Sequence, residues 1–124
     1  MTQEITINQL KEKVEREGLI KALYSVYGSA VKVKILFTDA VCKLRIEELN
    51  LSVRGYNCLK RVGVNYVEDL IGKIETSDLY SIRNLGRKTI AEIKTTLLEF
   101  VYNSLPESEK HAFLQAVIAD NDAN

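Results

Sequence analysis

A chain of 124 residues carrying 17 basic and 17 acidic side chains is one ordinary domain, or two very small ones, with no global charge to select a partner. Its hydrophobic fraction, 46%, and charged fraction, 27%, exclude intrinsic disorder and low-complexity structure, and no apolar run approaches the ~20 residues of a membrane span. Two cysteines, Cys42 and Cys58, and one histidine, His111, exclude a disulfide framework and give too few soft ligands for a tetrahedral zinc site. The sequence therefore predicts no metal and no cofactor.

Along the sequence, Asn8 is a candidate cap for a first helix, and Thr6 with Gln9 has capping-box spacing. Leu10 and Val14 form a short apolar stripe that Gly18 stops. Ile20, Leu23, Tyr24 and Tyr27 then repeat at helical spacing up to Gly28. Residues 30–44 carry two signals. Val31, Val33 and Ile35 alternate with lysines, as in a strand, whereas Val33, Phe37, Ala40, Val41 and Leu44 suit a helix. The run is long for a strand, so the expectation is helix. The segment lacks proline and serine-rich tracts, and is expected to pack rather than swing. Its charge is positive: residues 1–45 hold 8 basic and 5 acidic side chains, residues 46–101 hold 8 of each, and residues 102–124 hold 1 and 4.

From Ile46 the punctuation sharpens. Ser52 is a good N-cap for VRGYNCLKRV, which Gly63 stops. Residues 66–72 read as a short helix, and Ser77 or Thr76 can cap a single turn, DLYSI. An Asn84-Leu85-Gly86 turn leads into Ile90, Ile93, Leu97 and Val101, the stripe of a long amphipathic helix. Pro106 suits the start of a last helix, with Phe113, Ala116 and Val117 on its buried face and a fraying DNDAN tail. The fold class is all-α.

The chemistry is concentrated at two helix starts. Arg54 follows Ser52, and Arg87 and Lys88 follow Gly86. A helix N-terminus is already positive, so a cation there costs roughly 0.3–1 kcal/mol. An anion would supply the missing charge, held by free backbone N–H groups together with Lys88 and Thr89. Gly86, having no side chain, lets a phosphodiester backbone approach. Arg54 and Asn57 share one helix face, and both are suitable donors to groove edges. Ordinary solvated surface residues account for the same charges equally well.

Other constellations are weaker. Gly86-Arg87-Lys88-Thr89 is not a phosphate loop of the nucleotide-binding type, because Ser81 stands where the first glycine belongs and Arg87 where the lysine does. Glu47-Glu48 and Glu68-Asp69 are adjacent pairs and so face different ways on a helix. Cys58 reads as a small core residue with no histidine near it. No nucleophile–base pair is visible, so no enzymatic activity is expected.

The stretches IEELNLSVRGYNCLKRVGV, YVEDLIGKI and DLYSIRNLGRKTIAEIKTTLLEF resemble the C-terminal domain of the bacterial RNA polymerase α subunit. The resemblance covers residues 46–101, and its two motifs, VRGYNCLK and RNLGRKT, are specific when they occur together in this order. It implies a compact all-helical domain with helix–hairpin–helix elements that binds the minor groove of A·T-rich DNA and touches activators and σ factor. Position by position, it implies DNA contact by Arg54, Asn57, Cys58, Asn84, Gly86, Lys88, Thr89 and Glu92, with Arg87 beside them, and protein contact by Glu47 and Glu48. There are departures. Ser81 stands where some members carry lysine, Asn50 replaces an acidic residue, and the connection from Leu70 to Asn84 is one residue longer.

The resulting expectation is a stand-alone, cytoplasmic, nucleoid-associated relative of bacterial or phage origin, without the N-terminal assembly domain. Its parts would be a helical extension over residues 1–45, the polymerase-like region 46–102, and a C-terminal helix and tail over 103–124. The extension would dock or dimerise through Leu23, Tyr24, Tyr27 and Phe37. The partners expected are double-stranded DNA and, alternatively, RNA polymerase, σ factor or an activator. A DNA repair accessory protein is a third reading.

Overall fold

The computed structural model describes residues 5–122, and among them every regular element is helical. Helix α1 (Ile7–Glu17) is capped by Thr6, whose hydroxyl accepts from the Gln9 amide while the Gln9 side chain accepts from the Thr6 amide. The cap is thus Thr6 and not Asn8, because only Thr6 has the extended backbone that aims its oxygen into the first turn. Gly18, at φ +88°, turns the chain directly into α2 (Leu19–Tyr27). That backbone angle strains any residue with a Cβ.

Residues 30–44 are not the one helix expected, because 31–38 carries no regular element. Only α3 (Asp39–Cys42), capped by Thr38, is helical there. The segment is an extended strap. Val31 is fully buried, and Val33, Ile35 and Phe37 pack against the cores on either side. The alternating pattern was therefore the informative one, although no strand pairs with it. The Asn121 side chain takes the place of a neighbouring strand: its Oδ1 accepts from the Lys32 amide at 2.7 Å and its Nδ2 donates to the Lys32 carbonyl at 3.3 Å. The expectation that this segment packs is met.

A 3₁₀ turn (Ile46–Glu48) leads to α4 (Val53–Arg61), with Ser52 as N-cap, and then through Gly63 to α5 (Val67–Glu75). Backbone bonds from Ile46 to Asn65 and from Val67 to Leu44 clamp the two connections together. Another 3₁₀ turn (Asp78–Ser81) follows Ser77, which adopts a left-handed backbone and caps nothing with its side chain. Then come α6 (Arg87–Ser104) and α7 (Glu107–Asp122).

Helix α6 is not amphipathic. Ile90, Ile93 and Leu97 enter one cluster, with Ile46, Leu59, Val67, Leu70 and Leu79. Ala91 and Leu98 enter another, with Leu10, Leu19, Leu23, Phe113, Leu114 and Val117. The apolar stripe identifies the first face. The second is buried because α1, α2 and α7 cover it. On α7 the buried face is Phe113, Leu114 and Val117, and Ala116 is exposed. The tail expected to fray is helical through Asp122, held by Asn121 and by a Tyr27–Asp122 contact, while Ala123 and Asn124 lie outside the described residues.

These contacts also correct the docking surface expected on the extension. Leu23 is fully buried, and Tyr27 and Phe37 pack within the chain. Only Tyr24 of that group is exposed.

Candidate nucleic-acid interface

Two helix starts meet beside the first cluster. At α4 the Ser52 hydroxyl accepts from the Gly55 amide at 3.1 Å and fixes the first turn. Gly55 is buried there, and a Cβ would come within 3.3 Å of Ile93 Cγ1, so α4 lies close against α6. With that face turned inward, Arg54, Asn57 and Arg61 are all exposed on another side of α4.

At α6 the turn is anchored by buried Leu85 and bent by Asn84 at φ +68°. Asparagine tolerates this left-handed conformation better than most residues. The Cys58 thiol donates to the Asn84 carbonyl at 3.8 Å and ties α4 to the turn. Gly86, the N-cap of α6, offers no side-chain oxygen to the free N–H groups. A Cβ on Gly86 would meet nothing within 4 Å, so the approach to those groups is open.

A shallow cleft of about 720 Å³ lies between the two starts, lined by Arg54, Asn57, Cys58, Arg61, Asn84, Leu85 and Gly86. Among the described residues no carboxylate lines it. The ion pairs among the described residues are Arg45–Glu47, Lys60–Glu47 and Lys110–Glu107, so neither arginine of the cleft is neutralised by a neighbour in the fold. Helices α3, α5 and α7 carry carboxylates in their first turns, whereas α4 and α6 carry none. Of the helices that follow the strap, the two without them are the two that face this cleft.

The structure thus brings together Arg54, Asn57, Cys58, Asn84 and Gly86. Cys58 is 3% exposed and forms the floor, a positioning part more than a contacting one. It does not gather every residue expected. Lys88 and Glu92 line a different groove, of about 330 Å³, with Ile20, Tyr24 and Thr95. Thr89 is half-buried and Arg87 is exposed, and neither lines the cleft. Lys88 thus lines a neighbouring groove, and the two grooves share the start of α6. Arg61 was missed. Its spacing of seven from Arg54 puts it on the same helix face, and that signal was present in the sequence.

Glu47 is engaged internally. Its carboxylate accepts from the Tyr56 hydroxyl at 2.7 Å and pairs with Lys60 at 3.4 Å and Arg45 at 3.7 Å. The Tyr56 bond, with help from Lys60, lowers its pKa from the ordinary carboxylate value, and the same bond raises that of Tyr56. Glu48 is exposed. Among the described residues no group of His, Cys, Asp or Glu could hold a metal ion, and no helix is long and apolar enough to cross a membrane.

The sequence that builds this all-helical core has relatives among known proteins. Residues 38–99, half of the sequence, match the family described as the C-terminal domain of the bacterial RNA polymerase alpha chain, and this protein belongs to that family. It is 52% identical over 61 residues to the DNA-directed RNA polymerase subunit alpha of Bacillus velezensis, a match that covers 49% of this chain and 19% of that subunit. The corresponding subunit of Desulfitobacterium hafniense is 51% identical over 61 residues, 49% of this chain and 19% of the relative. That of Heliobacterium modesticaldum is 52% identical over 59 residues, 48% of this chain and 18% of the relative. The match thus spans about a fifth of the length of these curated relatives. No solved structure matches it.

Proposed function

We propose that this is a non-catalytic, transcription-associated DNA-binding protein that engages the minor groove and phosphate backbone of A·T-rich duplex. The observation that carries this reading is the carboxylate-free cleft, in which Arg54, Asn57 and Arg61 of α4 face the uncapped start of α6 at Gly86. Arginine suits a narrow minor groove, where the negative potential is enhanced, and free helix N–H groups suit a phosphate. Sequence preference would come from groove width and deformability more than from a base code. The DNA-engaging part is the region 46–102, the segments 1–45 and 103–124 serve as its helical surround, and the setting is the bacterial nucleoid.

The test is a fluorescence-anisotropy titration against A·T-rich and G·C-rich duplexes at several salt concentrations. The logarithm of affinity should fall linearly with the logarithm of salt, by about 0.9 per phosphate contact. Arg54→Ala should weaken binding about 10-fold or more, the scale of ~1–3 kcal/mol expected for a specific groove contact. Lys88→Ala, outside the cleft, should cost less. Equal binding by the parent protein and Arg54→Ala would sink this reading.

A second reading is docking on RNA polymerase, σ factor or a regulator, with little DNA binding. One observation favours it: Lys88 and Glu92 line a groove with Ile20 and Tyr24 instead of joining Arg54. Under that reading duplex binding is weak and indifferent to sequence, and Arg54→Ala leaves partner capture unchanged.

A further inference from the structure

The buried lysine of α6 has a charge that the DNA-facing cleft does not use. Lys94 is only 8% exposed. Its ammonium donates to the Val31 carbonyl at 3.2 Å and to the Tyr80 hydroxyl at 3.1 Å, and it lies 5.2 Å from the Tyr80 ring centroid. Both acceptors are neutral. A lysine ammonium has three N–H donors, so one remains. None of the three ion pairs among the described residues includes Lys94. A cation withdrawn from water without a counter-charge is costly, and an anion brought to it is correspondingly favoured.

Lys94 lines a cavity of about 580 Å³, within the size range of small-molecule sites. Lys34, from the extended strap, and Ser77, from the turn after α5, stand at the same cavity. The Tyr80 hydroxyl accepts from Lys94 and keeps its own proton to donate. Among the described residues Glu75 is the only carboxylate lining the cavity, and it is exposed and forms no ion pair with Lys94. Val31 and Lys34 lie outside the residues that match the polymerase domain, 38–99, so the strap completes a cavity which the matched residues alone would leave open.

We propose that this cavity binds a phosphate-sized anion, free or as the phosphate of a small aromatic ester, with Lys94 as its buried counter-charge. Lys34 supplies a second cation at the mouth. Tyr80, 48% exposed, offers an O–H donor and a ring on which an aromatic ester can stack.

The test is a two-dimensional amide NMR titration at neutral pH with sodium phosphate, against sodium chloride at equal ionic strength, and with phenyl phosphate as a second arm. Saturating shifts at Val31, Lys34, Ser77 and Tyr80 are expected. Lys94→Met, which keeps length and removes charge, should weaken binding at least 10-fold with an unchanged circular dichroism spectrum. Tyr80→Phe should weaken it a few-fold. Tighter binding of phenyl phosphate supports the ester form, and equal binding supports the free ion. Shifts that grow linearly without saturating, saturating shifts that survive Lys94→Met, or shifts confined to the Arg54 cleft would overturn the proposal. If Lys94→Met does not fold, undiminished binding by Tyr80→Phe overturns it instead.

Discussion

The Tyr56 hydroxyl and the Glu47 carboxylate form a bond whose two ends titrate far apart, which makes it a sensitive residue-scale probe. The folded pKa of Glu47 is depressed, chiefly by this bond, so its contribution to stability is present above the unfolded carboxylate value and is lost as pH falls through the folded one. The folded pKa of Tyr56 is raised by the same bond, so its contribution is present below the unfolded phenol value and is lost as pH rises through the folded one. Tyr56→Phe should therefore move the Glu47 pKa up toward its ordinary value, leaving its backbone hydrogen bond and the pairs with Lys60 and Arg45. Carbon-detected NMR titration of the Glu47 carboxyl reads this directly. An unmoved Glu47 would mean that the backbone hydrogen bond and Lys60 hold it down instead. The same bond bears on Glu47 as a protein contact: any partner must compete with three internal donors. Exposed Glu48 forms none of these ion pairs and meets no such competition.

At the scale of elements, α4 is placed by one oxygen. Ser52→Ala would leave the Gly55 amide without its acceptor and should cost about 1 kcal/mol, read as a lowered urea midpoint at constant m-value. It should also weaken duplex binding, because Arg54 sits on the turn that Ser52 fixes. Ser52→Thr, which keeps a capping oxygen, should restore most of both. This part of the molecule was legible in the sequence: Ser52, Gly63, Asn84 and Gly86 are local signals, and their chemistry is set by neighbours within a few residues. The strap and α6 were harder to read. Lysines alternating with valines over 31–35 describe a strand pattern, but its hydrogen-bond partner is Asn121, far away in sequence. Likewise, a second buried face on α6 can be known only once α1, α2 and α7 are known to cover it. The groove that Lys88 lines has the same origin, since α2 supplies its other wall. Local chemistry predicted the cap, the turn and the donors, and long-range packing decided which of them share a cleft.

At the scale of the whole molecule, the question is whether a polymerase-type domain and its helical surround fold as one unit. The Tyr27 hydroxyl reaches the Asp122 carboxylate at 3.5 Å, and burial together with that carboxylate pushes its pKa up to about 12. The contact favours the neutral phenol, so its contribution is whole below the unfolded value near 10 and fades as pH rises toward 12. An absorbance titration at alkaline pH should show late-titrating tyrosine, of which Tyr27→Phe removes the component near 12 and leaves that of Tyr56. The decisive comparison uses two neighbouring residues of α6. Leu97 is fully buried in the cluster shared with α4 and α5, and Leu98 is fully buried in the cluster shared with α1, α2 and α7. Truncating either to alanine should cost ~2–5 kcal/mol, a large share of the ~5–15 kcal/mol that holds a domain of this size. Because one helix carries both side chains, neither cluster can open fully without unravelling the other's wall. Both variants should therefore show a single transition, coincident by tyrosine fluorescence and far-ultraviolet circular dichroism, and shifted to lower urea. A Leu98→Ala variant that splits into two transitions, the second at the parent midpoint, would mean that the polymerase-like part stands without its surround. The strap, with Val31 in one cluster and Phe37 against the other, would then be a tether and not a shared wall.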